Sequence, residues 1–186
     1  TTSLGAIWSI CAPDMGDVAI IDRFRQIAPK VLIAQDGYVH AGKTIDKRDT
    51  LHSIADSLPS LEHLVIVPVI GGLPPQAIEW SSLTTKNAAL KPLAVPFDTP
   101  LWVVYSSGTT GNPKPIVHGH GGILLESAKQ SLHQDLTASD CFCWLTSSGW
   151  IMWNSQFTAL ARGATVAMFD GAPHMPDTLA RGRAAA

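Results

Sequence analysis

Apolar positions in this chain alternate between helical spacing and short continuous runs. Between residues 17 and 28, Val18, Ile21, Phe24, Arg25 and Ala28 fall near one helical face, while Asp22, Arg23 and Gln26 fall elsewhere, and Pro29 ends the pattern. Asp14 and Asp17 are both placed to cap that helix. Val31-Leu-Ile-Ala34 then reads as a buried strand, Gly37 as a turn and Tyr38-Val-His40 as a short hairpin strand. The sequence repeats the order. Asp46 to Leu58 puts Leu51, Ile54, Ala55 and Leu58 on one helical face, and after Pro59 the run Leu64-Val-Ile-Val67 predicts the next strand.

Residues 68 to 100 break this rhythm. Gly71-Gly72, Pro74-Pro75, Pro92, Pro96 and Pro100 predict a covering loop with one helical turn around Ala77 to Trp80, not a domain linker. Leu101-Trp-Val-Val-Tyr105 is a further buried strand, and a helix over Gly119 to Leu132 is expected to turn Ile123, Leu124, Ala128 and Leu132 inward. A strand at Cys141 to Leu145, a helix from Trp150 to Ala161 and a strand at Thr165 to Phe169 complete the series. At the start, residues 5 to 10 predict the end of a helix, closed by a turn at Cys11-Ala-Pro-Asp14. Helix and strand in alternation predict an α/β fold, a mostly parallel sheet flanked by helices, with ligands gathering at the C-terminal ends of the strands.

Composition narrows the class. The 186 residues fit about one domain, and 46% hydrophobic with 15% charged residues is a globular balance. A net charge of −2 argues against nucleic acid as the main partner. The apolar runs are too short to span a bilayer and the start lacks a secretory pattern, so the expectation is a cytoplasmic protein with no membrane partner. Three cysteines make no closed disulfide framework, and the alternate spacing in Cys141-Phe-Cys143 predicts two small core residues facing one way. His118-Gly-His120 offers two imidazoles without an accompanying ligand cluster, so no metal site is predicted there. If the strand persists, these two histidines face opposite ways and at most one meets a ligand.

The densest chemistry lies in Tyr105-Ser-Ser-Gly-Thr-Thr-Gly-Asn-Pro-Lys114, directly after an apolar strand. Gly108 and Gly111 permit positive φ and close backbone approach, so that successive N–H groups can turn toward one anion. Ser106, Ser107, Thr109 and Thr110 add hydroxyls, and Lys114 supplies the cation. Pro113 and Pro115 bias Asn112 and Lys114 toward extended backbone, which predicts a second strand leaving the loop and hence a hairpin with its tip at the loop. A Ser/Gly/Thr-rich surface turn has the same composition. The spacing does not fit a Walker A loop, because only two residues separate the glycines and Lys114 follows a proline.

In order and spacing, residues 105 to 114 resemble the ATP-binding signature of the adenylate-forming superfamily, which includes acyl-CoA synthetases, peptide-synthetase adenylation domains and luciferases. Pro115-Ile-Val-His-Gly-His-Gly-Gly-Ile-Leu-Leu-Glu126 resembles the continuation found in short-chain acyl-CoA synthetases, the acetoacetyl type most of all. Thr2 to Asp14 is similar to the approach to the family's nucleotide domain, and Gly149-Trp-Ile-Met-Trp-Asn154 to the segment lining its acyl site. The resemblance runs from residue 1 to about residue 173.

It implies an acid-thiol ligase that uses ATP, Mg²⁺ and coenzyme A, with acetoacetate as the acid and acetate or propionate as the alternative. By the same resemblance Ser106, Ser107, Gly108, Thr109, Thr110, Gly111 and Lys114 hold the phosphates, and Trp150, Trp153 and Asn154 meet the acid. The two indoles could equally be core packing, and Asn154 could equally cap a helix turn. The family's adenine and ribose motifs and its C-terminal domain with the catalytic lysine have no counterpart in these residues. The chain therefore reads as a single partial adenylation domain of a longer protein, with little activity expected of it alone and no catalytic residue assigned within it. A phosphate-binding module without turnover, or a structural domain with an inert loop, stays open.

Overall fold

The computed structural model describes residues 1–85, 88–106 and 111–169. In chain order its elements are β1 (Trp8–Ser9), α1 (Asp17–Phe24), β2 (Val31–Gln35), β3 (Gly37–His40), β4 (Lys43–Asp46), α2 (Arg48–Asp56), β5 (His63–Val67), β6 (Ile78–Glu79) and α3 (Trp80–Thr84). Then come β7 (Pro100–Tyr105), β8 (Pro115–Gly119), α4 (His120–His133), β9 (Cys141–Phe142), α5 (Ser155–Ala161) and β10 (Thr165–Val166). The class is α/β, as expected. Pairings β1–β7, β2–β5, β5–β6 and β9–β10 are parallel, while β3–β4 and β7–β8 are antiparallel. The chain divides into two compact units, one built mainly from residues 13–90 and the other from the N-terminal segment and the second half.

In the 13–90 unit, β2, β5 and β6 lie in that order in one parallel sheet. Ile20, Ile21 and Phe24 of α1, Leu51 and Ile54 of α2, and Leu32, Val65 and Ile66 of the strands are buried with Leu58. Each such side chain contributes about 1.5–3 kcal/mol by leaving water. Val31 and Ile33 differ from expectation, because both are exposed. Alternate strand residues point to opposite faces, so Val31 and Ile33 share the face opposite to that of the buried Leu32, and on that face burial is found at Val65 of the central strand.

The first helix stops at Phe24, short of Ala28, which takes φ 46°. Pro29 disfavours the right-handed α region at Ala28, so the helix does not continue through that residue. Neither Asp14 nor Asp17 caps the helix. Gly16 is the N-cap, and Asp17 sits in the first turn with its carboxylate accepting the N–H of Val18 at 2.8 Å. Tyr38 to His40 does form a hairpin, but with Lys43–Asp46, residues expected to be loop and the start of a helix. Ala41 and Gly42 turn it with φ 49° and 75°, the two positive values a tight two-residue hairpin turn needs, so α2 begins only at Arg48.

Asp36, at the end of β2, is fully buried. Its carboxylate accepts the N–H groups of Val69, Ile70 and Gly71 at 2.6, 3.1 and 2.8 Å, tying the β2 exit to the segment after β5. Burial acts to raise its pKa, but the backbone N–H bonds from Val69, Ile70, Gly71 and its own residue outweigh burial and hold it below the usual carboxylate value.

In the other unit, β7 lies between β1 and β8. The expected helix end at residues 5–10 is instead a 3-10 turn, Thr2–Leu4, closed by Gly5 at φ 76°, followed by β1 along the edge of β7. Ser9 secures that edge by donating its hydroxyl to the Val103 carbonyl at 2.9 Å. Helix α4 occupies the expected span, but Gly121, Ser127 and Ser131 are its buried residues, while Leu124, Ala128 and Leu132 are exposed and Ile123 is half-buried. The buried arc lies one residue, or about 100°, away from part of the apolar arc. Small side chains allow α4 and α5 to approach closely, and Thr158 donates to the Gln130 side chain at 3.0 Å between them. Strand β9 is two residues long, Cys141 is exposed, and Cys11 and Cys143 are half-buried, so the cysteines are not the core residues predicted. β10 is likewise shorter than expected. It pairs with β9 in parallel, Thr165 opposite Cys141.

Candidate functional site

Strand β7 is the best-buried strand of its unit, with Leu101, Trp102 and Val103 at 7, 8 and 6% exposure. It leads straight into the Ser/Gly/Thr motif. Across the hairpin Trp102 pairs with His118, Val103 with Val117, Val104 with Ile116 and Tyr105 with Pro115. The last pair brackets residues 106 to 114, so the predicted strand before the motif and the returning strand after it are present.

Ser106, Gly111 and Lys114 of the predicted phosphate grip are described; Ser107, Gly108, Thr109 and Thr110 lie outside the described residues. Gly111 has φ 154°, a backbone that residues with a side chain rarely adopt, and a Cβ there would meet nothing within 4 Å. Conformation, not space, demands glycine at this position. Asn112 and Lys114 flank a proline whose carbonyl is anchored. The Gln26 amide donates to the Pro113 oxygen at 3.0 Å and to the Asp22 oxygen at 2.8 Å, so the turn after α1 holds the chain one residue before Lys114. Nothing in the local pattern singled out Gln26 beforehand.

The two histidines separate because the strand ends between them. His118 is in β8, and its Nδ1 accepts the Trp102 indole N–H at 2.9 Å, which assigns the tautomer protonated on Nε2. His120 opens α4. Its backbone N–H donates to the Thr99 carbonyl at 2.9 Å, that of Gly121 donates to the Phe97 carbonyl at 2.9 Å, and the buried His120 Nε2 has no hydrogen-bond partner among the described residues. Among the described residues no group of three or more His, Cys, Asp or Glu could hold a metal ion, and no helix is long and apolar enough to cross a membrane.

The second predicted cluster lies on a 3-10 turn, Ile151–Asn154, which runs directly into α5. The Trp153 N–H donates to the Trp150 carbonyl at 3.0 Å, closing one 3-10 turn between the two residues. Trp150 is 61% exposed, and Trp153 and Asn154 are half-buried. Asn154 occupies the N-cap position of α5, but its side chain makes no capping bond. Its amide is therefore not consumed by the helix end. Trp102 contacts the same helix, its ring meeting Phe157 edge-on with centroids 6.1 Å apart at 87°. Hairpin pairing is the signal that could have placed Trp102 opposite His118 in advance, whereas the contact with Phe157 needed the tertiary structure.

Comparison with known proteins bears on the family. The profile of the family described as "AMP-binding enzyme" matches residues 1–183. The acetoacetyl-CoA synthetase of Gallus gallus is 37% identical over 187 residues, covering 94% of this chain and 28% of the relative. The acetoacetyl-coenzyme A synthetase of Rhizobium meliloti is 42% identical over 186 residues, covering 95% and 28%. Among solved structures, an acetoacetyl-CoA synthetase from Streptomyces lividans superposes with a TM-score of 0.93 at 46% identity, covering 96% of this chain and 28% of that one. The chain thus spans just over a quarter of the length of the proteins it matches. With the motif, the hairpin that carries it and the profile over nearly all residues in agreement, the chain belongs to the AMP-binding enzyme family.

Proposed function

We propose that this chain is part of the adenylation domain of a cytoplasmic acid-thiol ligase that activates acetoacetate with ATP and passes the acyl group to coenzyme A. The observation that carries the reading is the likeness to acetoacetyl-CoA synthetases over at least 94% of the chain. In the first half-reaction a carboxylate oxygen attacks the α-phosphorus of ATP, the bond to the bridging oxygen breaks, and pyrophosphate leaves with the electron pair. The chain's part in this is electrostatic. Ser106, Ser107, Thr109, Thr110 and the N–H groups around Gly108 and Gly111 would orient the β- and γ-phosphates while Lys114 offsets the charge that grows on the leaving group.

Mg²⁺ bound to the phosphate oxygens would add charge neutralisation, and since it keeps several waters it needs few protein ligands. That fits a donor set of hydroxyls and backbone amides with one ammonium. Trp150 and Trp153 would wall a short acyl site, and Asn154 would offer its amide to the 3-oxo group. In the second half-reaction the coenzyme A thiol attacks the acyl carbon and AMP leaves.

The test is kcat/KM of the protein at its full coding length for acetoacetate, acetate, propionate and butyrate, with ATP and coenzyme A saturating. Acetoacetate is expected to exceed butyrate by about a hundredfold or more, because a site built around a polar group discriminates strongly against an analogue lacking it. Equal or better use of acetate overturns the acid assignment, and no pyrophosphate exchange with any of the four overturns the ligase reading.

A further inference from the structure

We propose that Trp102 and His118 are positioning residues for the acid-binding turn, acting through Phe157. This rests on the reading of residues 150–154 as the acyl segment. Trp102 is 8% exposed, and its indole is held on two sides. His118 Nδ1 accepts its N–H at 2.9 Å, with the two ring centroids 6.3 Å apart, and Phe157 meets it edge-on at 6.1 Å. The first contact fixes the rotation of the indole. The second transmits that orientation to α5, whose third residue is Phe157 and whose N-cap is Asn154.

The turn that carries Trp153 and Asn154 runs without a break into the head of this helix. Where α5 begins therefore sets where those side chains stand. Without an acceptor at residue 118, the buried indole N–H turns to find another partner, the edge contact with Phe157 is lost, and the head of α5 shifts. Displacement of about 1 Å at a binding turn is enough to cost a large factor in reactivity. Phe157 links the indole to the helix that follows the acid-binding turn, so the effect is expected on the acid more than on ATP.

The experiment compares His118→Leu, His118→Asn and Phe157→Leu at full coding length. His118→Leu is expected to raise the KM for the acid about tenfold and leave the KM for ATP within about twofold. His118→Asn presents an amide oxygen near the position of Nδ1 and is expected to restore the acid KM to within about twofold of wild type. Phe157→Leu should reproduce the defect, and the double variant with His118→Leu should be no worse than either single one. Lowered melting temperature and yield with unchanged KM values would mean a purely structural pair and overturn the proposal. Calorimetric titration with acetoacetate separates the two readings: wild-type binding with undiminished affinity in His118→Leu sinks only this inference, whereas no wild-type binding or exchange with any short acid sinks the proposed function and this inference with it.

Discussion

The carboxylate of Asp36 accepts the backbone N–H of Val69 at 2.6 Å, and the same side chain also takes the N–H groups of Ile70 and Gly71. One buried acceptor thus joins the exits of two adjacent parallel strands. Removing it strands three backbone donors, each costing on the order of 1 kcal/mol or more when left unpaired. Asp36→Ala is expected to destabilise the chain by roughly 3 kcal/mol, read as an earlier midpoint in denaturant with unchanged slope.

The same carboxylate gives stability a pH dependence. Its folded pKa lies below the unfolded value, so its contribution is complete above about pH 4 and is lost as pH falls through the folded value. Asp46 acts in the same direction, since the side-chain bond from Arg48 holds it at about 2. Melting temperature should therefore drop between roughly pH 4 and pH 2. Asp36→Asn, which cannot ionise, is expected to flatten that drop, and an unchanged acid limb in this variant would remove Asp36 from the explanation.

Gly37 sits where a Cβ would lie 2.5 Å from the Ile45 carbonyl oxygen, inside the β3–β4 hairpin. Because the obstructing atom is backbone, it cannot rotate away as a side chain can. Gly37→Ala is expected to cost about 1–3 kcal/mol. Thermal unfolding compared with Gly42→Ala, at the hairpin tip where nothing lies within 4 Å but φ is 75°, separates steric contact from backbone strain.

Lys114 is the one cation in the motif from Tyr105 to Lys114. A charge-assisted hydrogen bond contributes about 1.5–3 kcal/mol, so Lys114→Ala should lower kcat/KM for ATP by roughly ten- to a hundredfold in pyrophosphate exchange. Exchange at the wild-type rate would exclude Lys114 from phosphate handling.

Much of this was legible in the sequence because the signals were local. The strand from Leu101 to Tyr105, the proline-flanked exit and the paired glycines together predict the hairpin, and the hairpin is there. The helix–strand units around residues 17 to 67 followed from periodicity alone. Three features were hidden for physical reasons. The Ala41-Gly42 turn lacks the usual Asn or Asp at its first position, so the local pattern predicts loop and helix start where the second hairpin strand, Lys43–Asp46, lies. Helix α4 buries Gly121, Ser127 and Ser131, a face chosen by close packing that hydrophobic periodicity does not report. Asp36 looks like an ordinary turn residue in Gln35-Asp36-Gly37, since its partners lie more than thirty residues away.

Asn154 offers the sharpest test of substrate choice. It stands at the N-cap of α5 without making a capping bond, and it follows Trp153 on the turn assigned to the acid. A side chain that contributes nothing to the helix end can be exchanged at little cost in stability, so Asn154→Ala should melt within a few degrees of wild type. If its amide donates to the 3-oxo group, that loss falls on acetoacetate and spares butyrate, which has no oxygen there. A hydrogen bond of about 1–2 kcal/mol corresponds to a fall in kcat/KM for acetoacetate of roughly five- to thirtyfold. The ratio of the two acids is the decisive measurement. Parallel losses for both would assign Asn154 to the shape of the turn, whereas a fall confined to acetoacetate places its amide on the 3-oxo group.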